Sequence, residues 1–424
     1  MTQPLLHIRG MPYVPGSARG VLQHGMGEDS DGRIVVLETL LSGSLPHPPA
    51  GIVVVNGAPL SHAMIPLLGS GVPTVLVTPA QAAVLREGVE VLLDGSTGLI
   101  ISSAVATTGT GLPPVLPPAV TSDGTRITLR VSARDPHDVQ RAVALGAESI
   151  GLVRSEFLVP ADARQRPDAA FFRQAFAALC AAAGGLPVTI RLIDIAADKQ
   201  PAWLPAQAGV GGALGRQGVR LYTDPVVHAI YRAQLEAIDS LAAEGELRVL
   251  LPYVADRVEL EYWCRDIQAQ LSRPLPIGAM AETPAAALAL GEWLEVADFV
   301  GLGCNDLMQC LFGADRDRPE LAHYLDPHAP ALYRFLRQVA VGMRGQGEQV
   351  QLCGVLPQLP AILPVLLGLG FRVFSVEAAQ LPWLVRSIAQ TDIGVARDLA
   401  EQVCRADASS GVRELLGLAV CRAL

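Results

Sequence analysis

The sequence predicts an α/β protein in two parts, a small β/α domain followed by a (β/α)8 barrel, and three observations support this. The chain has 424 residues, enough for two domains at roughly 100–200 residues each. Residues 105–125, VATTGTGLPPVLPPAVTSDGT, are rich in proline, glycine and threonine and predict a linker. Beyond the linker, short apolar runs alternate eight times with amphipathic stretches, which favours a barrel over an open doubly wound sheet.

The first domain is assigned to residues 1–104. Short β-rich runs at 33–37 and 51–55 alternate with glycine and proline turns. The sequence DGSTG at 94–98 is a strong turn signal between the strand-like runs 89–93 and 99–102. These features predict a compact, β-rich α/β unit.

The barrel is assigned to residues 126–424. Its predicted strands are 127–132, 149–153, 188–193, 248–252, 276–281, 299–302, 350–353 and 372–375. Its predicted helices include 136–145, 169–183, 226–243, 257–270 and 330–342. The apolar run 355–371 contains three prolines and is interpreted as a core helix, not as a membrane span. The glycine-rich segment 209–218 follows no strand, so a dinucleotide site is not expected.

Composition excludes several classes of function. The chain is 50% hydrophobic and 17% charged with a net charge of −9, so it offers a core and lacks the basic surface of a nucleic-acid-binding protein. The first ten residues contain no apolar core of signal-peptide length. The seven cysteines form no CxxC pair and are typical of reduced thiols. We expect a cytoplasmic protein that binds neither nucleic acid nor membrane.

Charged and polar residues collect where the predicted barrel strands end, and active sites of such barrels lie at that face. Two carboxylates, Glu282 and Asp306, follow neighbouring strands and suit Mg²⁺. Several cations and polar groups suit a phosphate or carboxylate: Arg154, Arg191, Lys199, Arg248, Asn305 and Arg316. Each residue singly could be a loop salt bridge. Jointly they predict a small substrate with clustered negative charge.

Two further residues could be reactive or structural. His62 lies in GAPLSHAMIP, the loop after the buried run 52–55, and a neutral imidazole there could capture a phosphoryl group. Cys353 ends the seventh predicted strand, where it could be a core cysteine or a proton donor. Lys199 is the only lysine of the chain, which reflects either base composition or a need for an ammonium group.

Motifs along nearly the whole chain resemble the phosphoenolpyruvate-utilising enzymes, most closely enzyme I of the bacterial sugar phosphotransferase system. They are 10–20 (GMPYVPGSARG), 61–63 (SHA), 85–98 (LREGVEVLLDGSTG), 151–158 (GLVRSEFL), 190–199 (IRLIDIAADK), 213–221 (ALGRQGVRL), 280–285 (MAETPA), 303–309 (GCNDLMQ), 314–316 (ADR) and 352–354 (LCG). The resemblance implies a phosphohistidine swivelling domain followed by a phosphoenolpyruvate-binding TIM barrel, joined by a hinge at 105–125.

The resemblance also implies a reaction. His62 would accept the phosphoryl group of phosphoenolpyruvate and leave pyruvate enolate, which Cys353 would protonate. Glu282 and Asp306 would hold Mg²⁺. The substrate would be held by Arg154, Arg248, Asn305 and Arg316, with Arg191 and Lys199 beside them. The partner would be a phosphoryl acceptor that the sequence does not name, with a protein among the candidates, and the chain would form a homodimer.

The sequence departs from the family pattern in two respects. The helical insertion with which enzyme I grips its phosphocarrier protein is missing between the opening motif and His62. Near the site, the expected arginine of the ALGxR segment falls on Gln217, Leu60 replaces a threonine, no arginine stands near Leu67, and Val355 replaces an acid. Two alternatives therefore stay open: a weakened pseudoenzyme that binds phosphoenolpyruvate as a regulator, and a pyruvate-enolate lyase or mutase.

Overall fold

The computed structural model confirms the predicted architecture of a β/α domain and a closed barrel. It describes residues 6–27, 30–38, 48–102, 116–160, 163–195, 201–204, 212, 214–243 and 245–418.

The first domain is built on one eight-stranded sheet. Its strands are β1 (His7–Arg9), β2 (Met11–Val14), β3 (Ser17–His24), β4 (Ile34–Leu37), β5 (Gly51–Val55), β6 (Thr74–Val77), β7 (Glu90–Asp94) and β8 (Leu99–Ile101). Their spatial order is β1-β8-β7-β3-β4-β5-β6-β2. Two short helices, α1 (Ile65–Ser70) and α2 (Pro79–Ala82), follow β5 and β6. The central strands β4 and β6 are buried along their whole length, which explains their unbroken apolar sequence.

The second domain is a closed barrel of eight parallel strands. They are β9 (Thr128–Ala133), β10 (Ile150–Arg154), β11 (Val188–Arg191), β12 (Leu247–Val254), β13 (Ile277–Ala281), β14 (Phe299–Gly303), β15 (Val350–Cys353) and β16 (Val373–Glu377). Closure comes from β16 pairing with β9, with Val373 opposite Thr128. All eight predicted strands are present. The fourth begins one residue earlier than predicted and extends to Val254, and the third ends at Arg191, two residues earlier than predicted.

Helices surround the barrel. They are α3 (Pro136–Ala144), α4 (Ala169–Ala183), α5 (Pro225–Leu241), α6 (Arg257–Gln270), α7 (Pro284–Leu288), α8 (Leu290–Trp293), α9 (Cys304–Phe312), α10 (Pro330–Gly342), α11 (Leu363–Leu369), α12 (Leu381–Ala389), α13 (Ile393–Arg405) and α14 (Ser409–Leu415). The five predicted from the sequence, α3, α4, α5, α6 and α10, each begin within one residue of the predicted start. The apolar run 355–371 forms a 3₁₀ turn, Leu356–Gln358, and the short α11. Within the described ranges, no helix combines the length and apolarity needed to span a membrane.

Aspartates fix the start of several helices. Asp135, Asp168, Asp224, Asp256 and Asp392 each accept a hydrogen bond from a backbone N–H of the first helical turn. These bonds satisfy donors that have no partner within the helix, and they explain why aspartate precedes so many amphipathic stretches.

The predicted linker lies partly outside the described residues, at 105–115. The described part is bonded to the barrel. Leu116 N–H donates to Leu145 O at 3.3 Å, and Ser122 N–H donates to Thr391 O at 2.9 Å. Residues 116–125 therefore belong with the barrel in this structure.

The first domain rests on the barrel through the carboxyl end of α1. The Gln380 side chain donates to Leu68 O at 2.7 Å, and the Arg141 guanidinium donates to Gly69 O at 3.2 Å. These carbonyls lie in the last turn of a helix and need external donors. The contact brings the loop that precedes α1 to the carboxyl ends of the barrel strands.

Replacing Asp224 with alanine tests the contribution of the helix caps. The Asp224 carboxylate accepts from Val226 N–H at 2.9 Å and Val227 N–H at 3.3 Å. We expect Asp224→Ala to lower the free energy of unfolding by about 1 kcal/mol, measured by urea denaturation. The control is Glu236→Ala, an exposed position on the same helix, which should change it by less than about 0.5 kcal/mol. Equal losses in both variants would contradict the assignment.

Candidate active site

A pocket lies between the first domain and the carboxyl ends of the barrel strands. It is lined by most of the residues selected from the sequence: His62, Arg154, Arg191, Glu282, Asn305, Asp306, Arg316 and Cys353. The charged Asp194 and the exposed Phe157 also line the pocket. Most of these residues lie at or just after the carboxyl ends of barrel strands, and the first domain contributes His62 and Ile65.

The loop that carries His62 is held from both sides. The Tyr13 hydroxyl donates to Pro59 O at 3.0 Å, and this bond is buried. Met64 N–H donates to Ser61 O at 3.0 Å, which closes a turn around the histidine. Only glycine fits at Gly57, because a Cβ atom there would lie 2.8 Å from the Leu76 side chain. The loop therefore presents His62 from a fixed base.

Both ring nitrogens of His62 contact one barrel loop. Nδ1 lies 2.8 Å from Asp317 Oδ2, and Nε2 lies 2.7 Å from the Arg316 guanidinium. The His62 backbone N–H donates to Asp317 Oδ1 at 3.1 Å. Partial burial alone would raise the pKa of Asp317, but hydrogen bonds from His62 and the nearby cationic charge outweigh it and lower that pKa.

Arg316 links this loop to the barrel. Its backbone N–H donates to Gln309 Oε1 at 2.9 Å, and its guanidinium lies 3.4 Å from Asp306 Oδ1. The side chain is buried. The loop follows Gly313, which ends α9 with a left-handed φ of 61°. Arg316 thus stands between a carboxylate of the barrel and the imidazole of the first domain.

Glu282 follows β13 and is buried against two backbone segments. Its Oε2 accepts from Tyr253 N–H at 3.1 Å. Gly303 allows this approach, because a Cβ atom there would lie 2.6 Å from Glu282 Oε1. Burial, together with repulsion from Asp306 and Asp194, raises the pKa of Glu282 to about 8.

Arg191 is enclosed by carboxylates. Its guanidinium donates to Glu156 and lies 2.9 Å from Asp194 Oδ2. Burial alone would lower the pKa of Arg191, but the charges of Asp194, Glu156 and Glu282 raise it above its usual value. This arginine lines the pocket as part of an ionic network and is not a free cation.

Asn305 is oriented by the end of β15. Its Oδ1 accepts from Val355 N–H at 2.9 Å. The approach requires Gly354, whose φ is +99° and whose Cβ atom would lie 2.7 Å from that oxygen. With Oδ1 engaged, the amide nitrogen of Asn305 is the group available to donate to an anionic ligand.

Cys353 ends β15 inside the barrel. Burial raises the pKa of its thiol to about 11, so the sulfur carries its proton at neutral pH. The Gln351 amide lies 3.3 Å from the sulfur and also donates to Gly151 O at 3.0 Å. The protonated thiol lies at the inner wall of the pocket.

The structure does not bring Arg248 to this pocket, which corrects the sequence-based prediction. Arg248 pairs with Thr189 at the amino-terminal end of β12, whereas the pocket lies at the carboxyl ends. The sequence interpretation treated an arginine at a strand start as if it stood at a strand end. Lys199, also predicted to bind substrate, lies outside the described residues.

The positions that depart from the family pattern do not supply the pocket with side chains equivalent to those that the family has there. The Arg216 guanidinium donates to Thr223 Oγ1 at 3.0 Å and does not line the pocket. Gln217 and Leu60 are buried. Val355 contributes its backbone N–H, which orients Asn305 as described above.

Sequence reasoning missed several residues of the site. Asp317 and Glu156 touch residues that were selected; Glu156 lies two residues after β10, and Asp317 lies in the loop after α9. Tyr253 adopts a positive φ of 47° and turns its N–H toward Glu282. Asp317 had one local signal, because it directly follows Arg316.

Two places in the described residues could attract a cation. Glu282 and Asp306 fit Mg²⁺, because their carboxyl groups repel each other and both open onto the pocket. Asp135, His137 and Asp138 also lie close together. There, however, Asp135 caps α3 and Asp138 bonds to Arg134 at 3.3 Å, so these carboxylates have structural partners.

Comparisons with known proteins agree with this arrangement. A family model described as PEP-utilising enzyme, PEP-binding domain, matches residues 115–393, and one described as PEP-utilising enzyme, mobile domain, matches residues 30–98. The phosphoenolpyruvate-protein phosphotransferase of Streptomyces coelicolor is 32% identical over 86% of this chain and 67% of its own length. That of Haloferax volcanii is 30% identical over 92% of this chain and 72% of its own length.

A longer relative is matched only in part. The multiphosphoryl transfer protein of Xanthomonas campestris is 30% identical over 86% of this chain but only 46% of its own length. The chain thus spans about half the length of that relative.

The raised pKa of Glu282 predicts a pH-dependent stability. The native state holds this proton up to a pKa of about 8, whereas an unfolded glutamate releases it near its ordinary value of about 4.3. The native state therefore binds more protons across that window, and the contribution of Glu282 to stability falls as pH rises through it. We expect Glu282→Gln, measured with a chelator present, to melt above wild type at pH about 8.5 and near wild type at pH about 5.

Differential scanning fluorimetry measures this difference. The control is Glu292→Gln, an exposed glutamate on α8, which should show no such trend with pH. The same melting difference for Glu282→Gln at both pH values would show that its carboxyl group does not titrate as described.

Proposed function

The chain belongs to the PEP-utilising enzyme family and is an enzyme I-like phosphotransferase that depends on phosphoenolpyruvate; on that premise we propose that His62 is its phosphoryl acceptor. His62 would take the phosphoryl group in the pocket between the two domains and pass it to a second acceptor. The observation that carries this proposal is the position of His62 Nε2, 2.7 Å from the guanidinium of a buried pocket arginine, Arg316.

Three donors in the pocket suit phosphoenolpyruvate. Arg154 ends β10, Arg316 lies beside His62, and Asn305 offers its amide nitrogen. Guanidinium and amide donors match phosphate and carboxylate oxygens. We propose that these residues bind the substrate and that Arg191 contributes through its ionic network. The structure gives no support to a substrate contact by Arg248.

Glu282 and Asp306 would hold Mg²⁺. The ion would neutralise negative charge on the substrate oxygens, which phosphoryl transfer requires. Glu282 is already oriented by Tyr253 N–H, and Asp306 by its position beside Arg316. The protein would thereby bring a cation, two arginines and the imidazole around one phosphoryl group.

The transfer has a balanced form with these residues. The Nε2 lone pair of His62 forms the N–P bond while the bond from phosphorus to the enol oxygen breaks. The electron pair leaves on pyruvate enolate, whose methylene carbon takes a proton from the Cys353 thiol. That thiol is protonated at neutral pH because burial raises its pKa to about 11.

Labelling from radioactive phosphoenolpyruvate with Mg²⁺ tests the acceptor. We expect acid-labile label on the wild-type protein and none on His62→Ala, because phosphohistidine requires the imidazole. The matched control is His24→Ala, a histidine of the same sheet whose ring contacts Leu85 O, and it should keep the label. Substrate binding without label on wild type would favour the pseudoenzyme. Pyruvate release or C–C cleavage independent of His62 would favour a lyase or mutase.

We propose that this chain recognises its second phosphoryl acceptor differently from the way enzyme I recognises its phosphocarrier protein. Between β2 and His62, the described residues form strands and turns, with no helix. A helical insertion of the kind that grips the phosphocarrier protein of the sugar system is absent from those residues. We propose a protein acceptor that docks by other surfaces.

A transfer assay tests that recognition. We expect the labelled protein to pass phosphate to the phosphocarrier protein at least about tenfold more slowly than enzyme I does, since lost contacts of about 1.4 kcal/mol correspond to a factor of ten. Labelled enzyme I is the positive control. Transfer at the rate of enzyme I would contradict the proposal.

We propose that the protein acts in the cytoplasm, which its unpaired described cysteines support. We also propose, from the resemblance alone, that it forms a homodimer.

A further inference from the structure

Asp317 makes two hydrogen bonds to one residue of the other domain. Its Oδ1 accepts from the His62 backbone N–H at 3.1 Å, and its Oδ2 lies 2.8 Å from His62 Nδ1. The Asp317 backbone is itself fixed, because its N–H donates to Asp315 Oδ1 at 3.0 Å. One carboxylate thus grips both the main chain and the ring of the histidine.

The two neighbours of the ring specify its tautomer. An ionised carboxylate only accepts hydrogen bonds, so Nδ1 must carry the proton that faces Asp317. A guanidinium only donates, so Nε2 must present its lone pair to Arg316. Both contacts therefore select the same neutral form, with the proton on Nδ1 and the lone pair on Nε2 facing the pocket.

We propose that Asp317 is a positioning residue for phosphoryl transfer, which fixes the tautomer of His62 and stabilises the positive charge that the ring acquires. The inference rests on the proposed function of His62 and goes beyond it. Asp317 does not line the pocket, so it acts through the imidazole and not on the substrate.

The charge of the His62 ring changes when the N–P bond forms. When the Nε2 lone pair bonds to phosphorus, the ring keeps its Nδ1 proton and becomes an imidazolium. The hydrogen bond to Asp317 then joins a cation to an anion, and it is stronger than in the ground state. An interaction that strengthens as the reaction proceeds lowers the barrier.

The contact also couples chemistry to domain position. Asp317 belongs to the barrel, in the loop after α9, whereas His62 belongs to the first domain. The ring has this partner only while the domains are docked as in this structure. The docked arrangement is therefore the one in which His62 is prepared for attack.

The tautomer can be measured without substrate. In protein carrying ¹⁵N-labelled histidine, the His62 signals are identified by their absence from His62→Ala, since the chain has eight histidines. We expect the Nδ1–H form in wild type and a mixture of both forms in Asp317→Ala. An Nε2–H form in wild type, or an unchanged form in Asp317→Ala, would overturn the inference.

Rates give a second readout. We expect Asp317→Ala and Asp317→Asn to be labelled by phosphoenolpyruvate roughly ten- to a hundred-fold more slowly, as loss of a charge-assisted hydrogen bond implies. The KM for phosphoenolpyruvate should change by less than about twofold, because a residue that does not contact substrate leaves its binding intact. Asp317→Glu should recover part of the rate.

The site of phosphorylation separates a positioning role from a structural one. ³¹P NMR should show an Nε2 linkage in wild type and an added Nδ1 linkage in Asp317→Ala, which loss of stability alone would not produce. The matched control is Glu320→Gln, an exposed carboxylate three residues away, which should keep the wild-type rate and linkage.

The outcomes also separate this inference from the proposed function. If wild type takes no label, the proposed function fails, and the tautomer measurement alone decides whether Asp317 orients His62. If wild type is labelled and Asp317→Ala matches it in rate and linkage, the function stands and the role of Asp317 is refuted.

Discussion

The grip of Arg316 and Asp317 on the two ring nitrogens of His62 joins parts of the chain that are 254 and 255 residues apart. It depends on almost everything else in the fold. The barrel must close to place β14 and α9, Gly313 must turn the chain after α9, and the sheet must hold the loop that ends at His62. An imidazole tied at one nitrogen can still rotate or exchange tautomers. Tied at both, it has one orientation and one tautomer.

Charge is concentrated around this contact in a way that favours function over stability. Burial, together with repulsion from Asp306 and Asp194, raises the pKa of Glu282 to about 8. Arg191 offsets part of that repulsion but is itself enclosed by carboxylates. A divalent cation held between Glu282 and Asp306 would relieve that repulsion.

The barrel was predictable because its signals are local. Apolar runs mark the strands, and aspartate or proline marks the helix starts, so Glu282, Asn305 and Asp306 could be placed at strand ends from periodicity. Arg248 was misplaced for a different reason, because it was grouped with residues at strand ends although the predicted strand, 248–252, begins with it. Asp317 could not be found in this way. Its partner lies in another domain, and the contact arises only from docking, which leaves no periodic trace in either segment.

The contact between α1 and the barrel affects how easily the two domains separate. Gln380 and Arg141 donate to the carbonyls of Leu68 and Gly69, and water can donate to the same two oxygens once the domains separate. Each such exchange is worth only about 0.5–1.5 kcal/mol. These two exchanges are therefore nearly balanced, and the docked arrangement is held mainly by other contacts, among them the bonds of Asp317 and Arg316 to His62. A ligand that contacted both His62 and the barrel residues of the pocket would add to that preference, because a ligand shifts an equilibrium by its difference in affinity for the two arrangements.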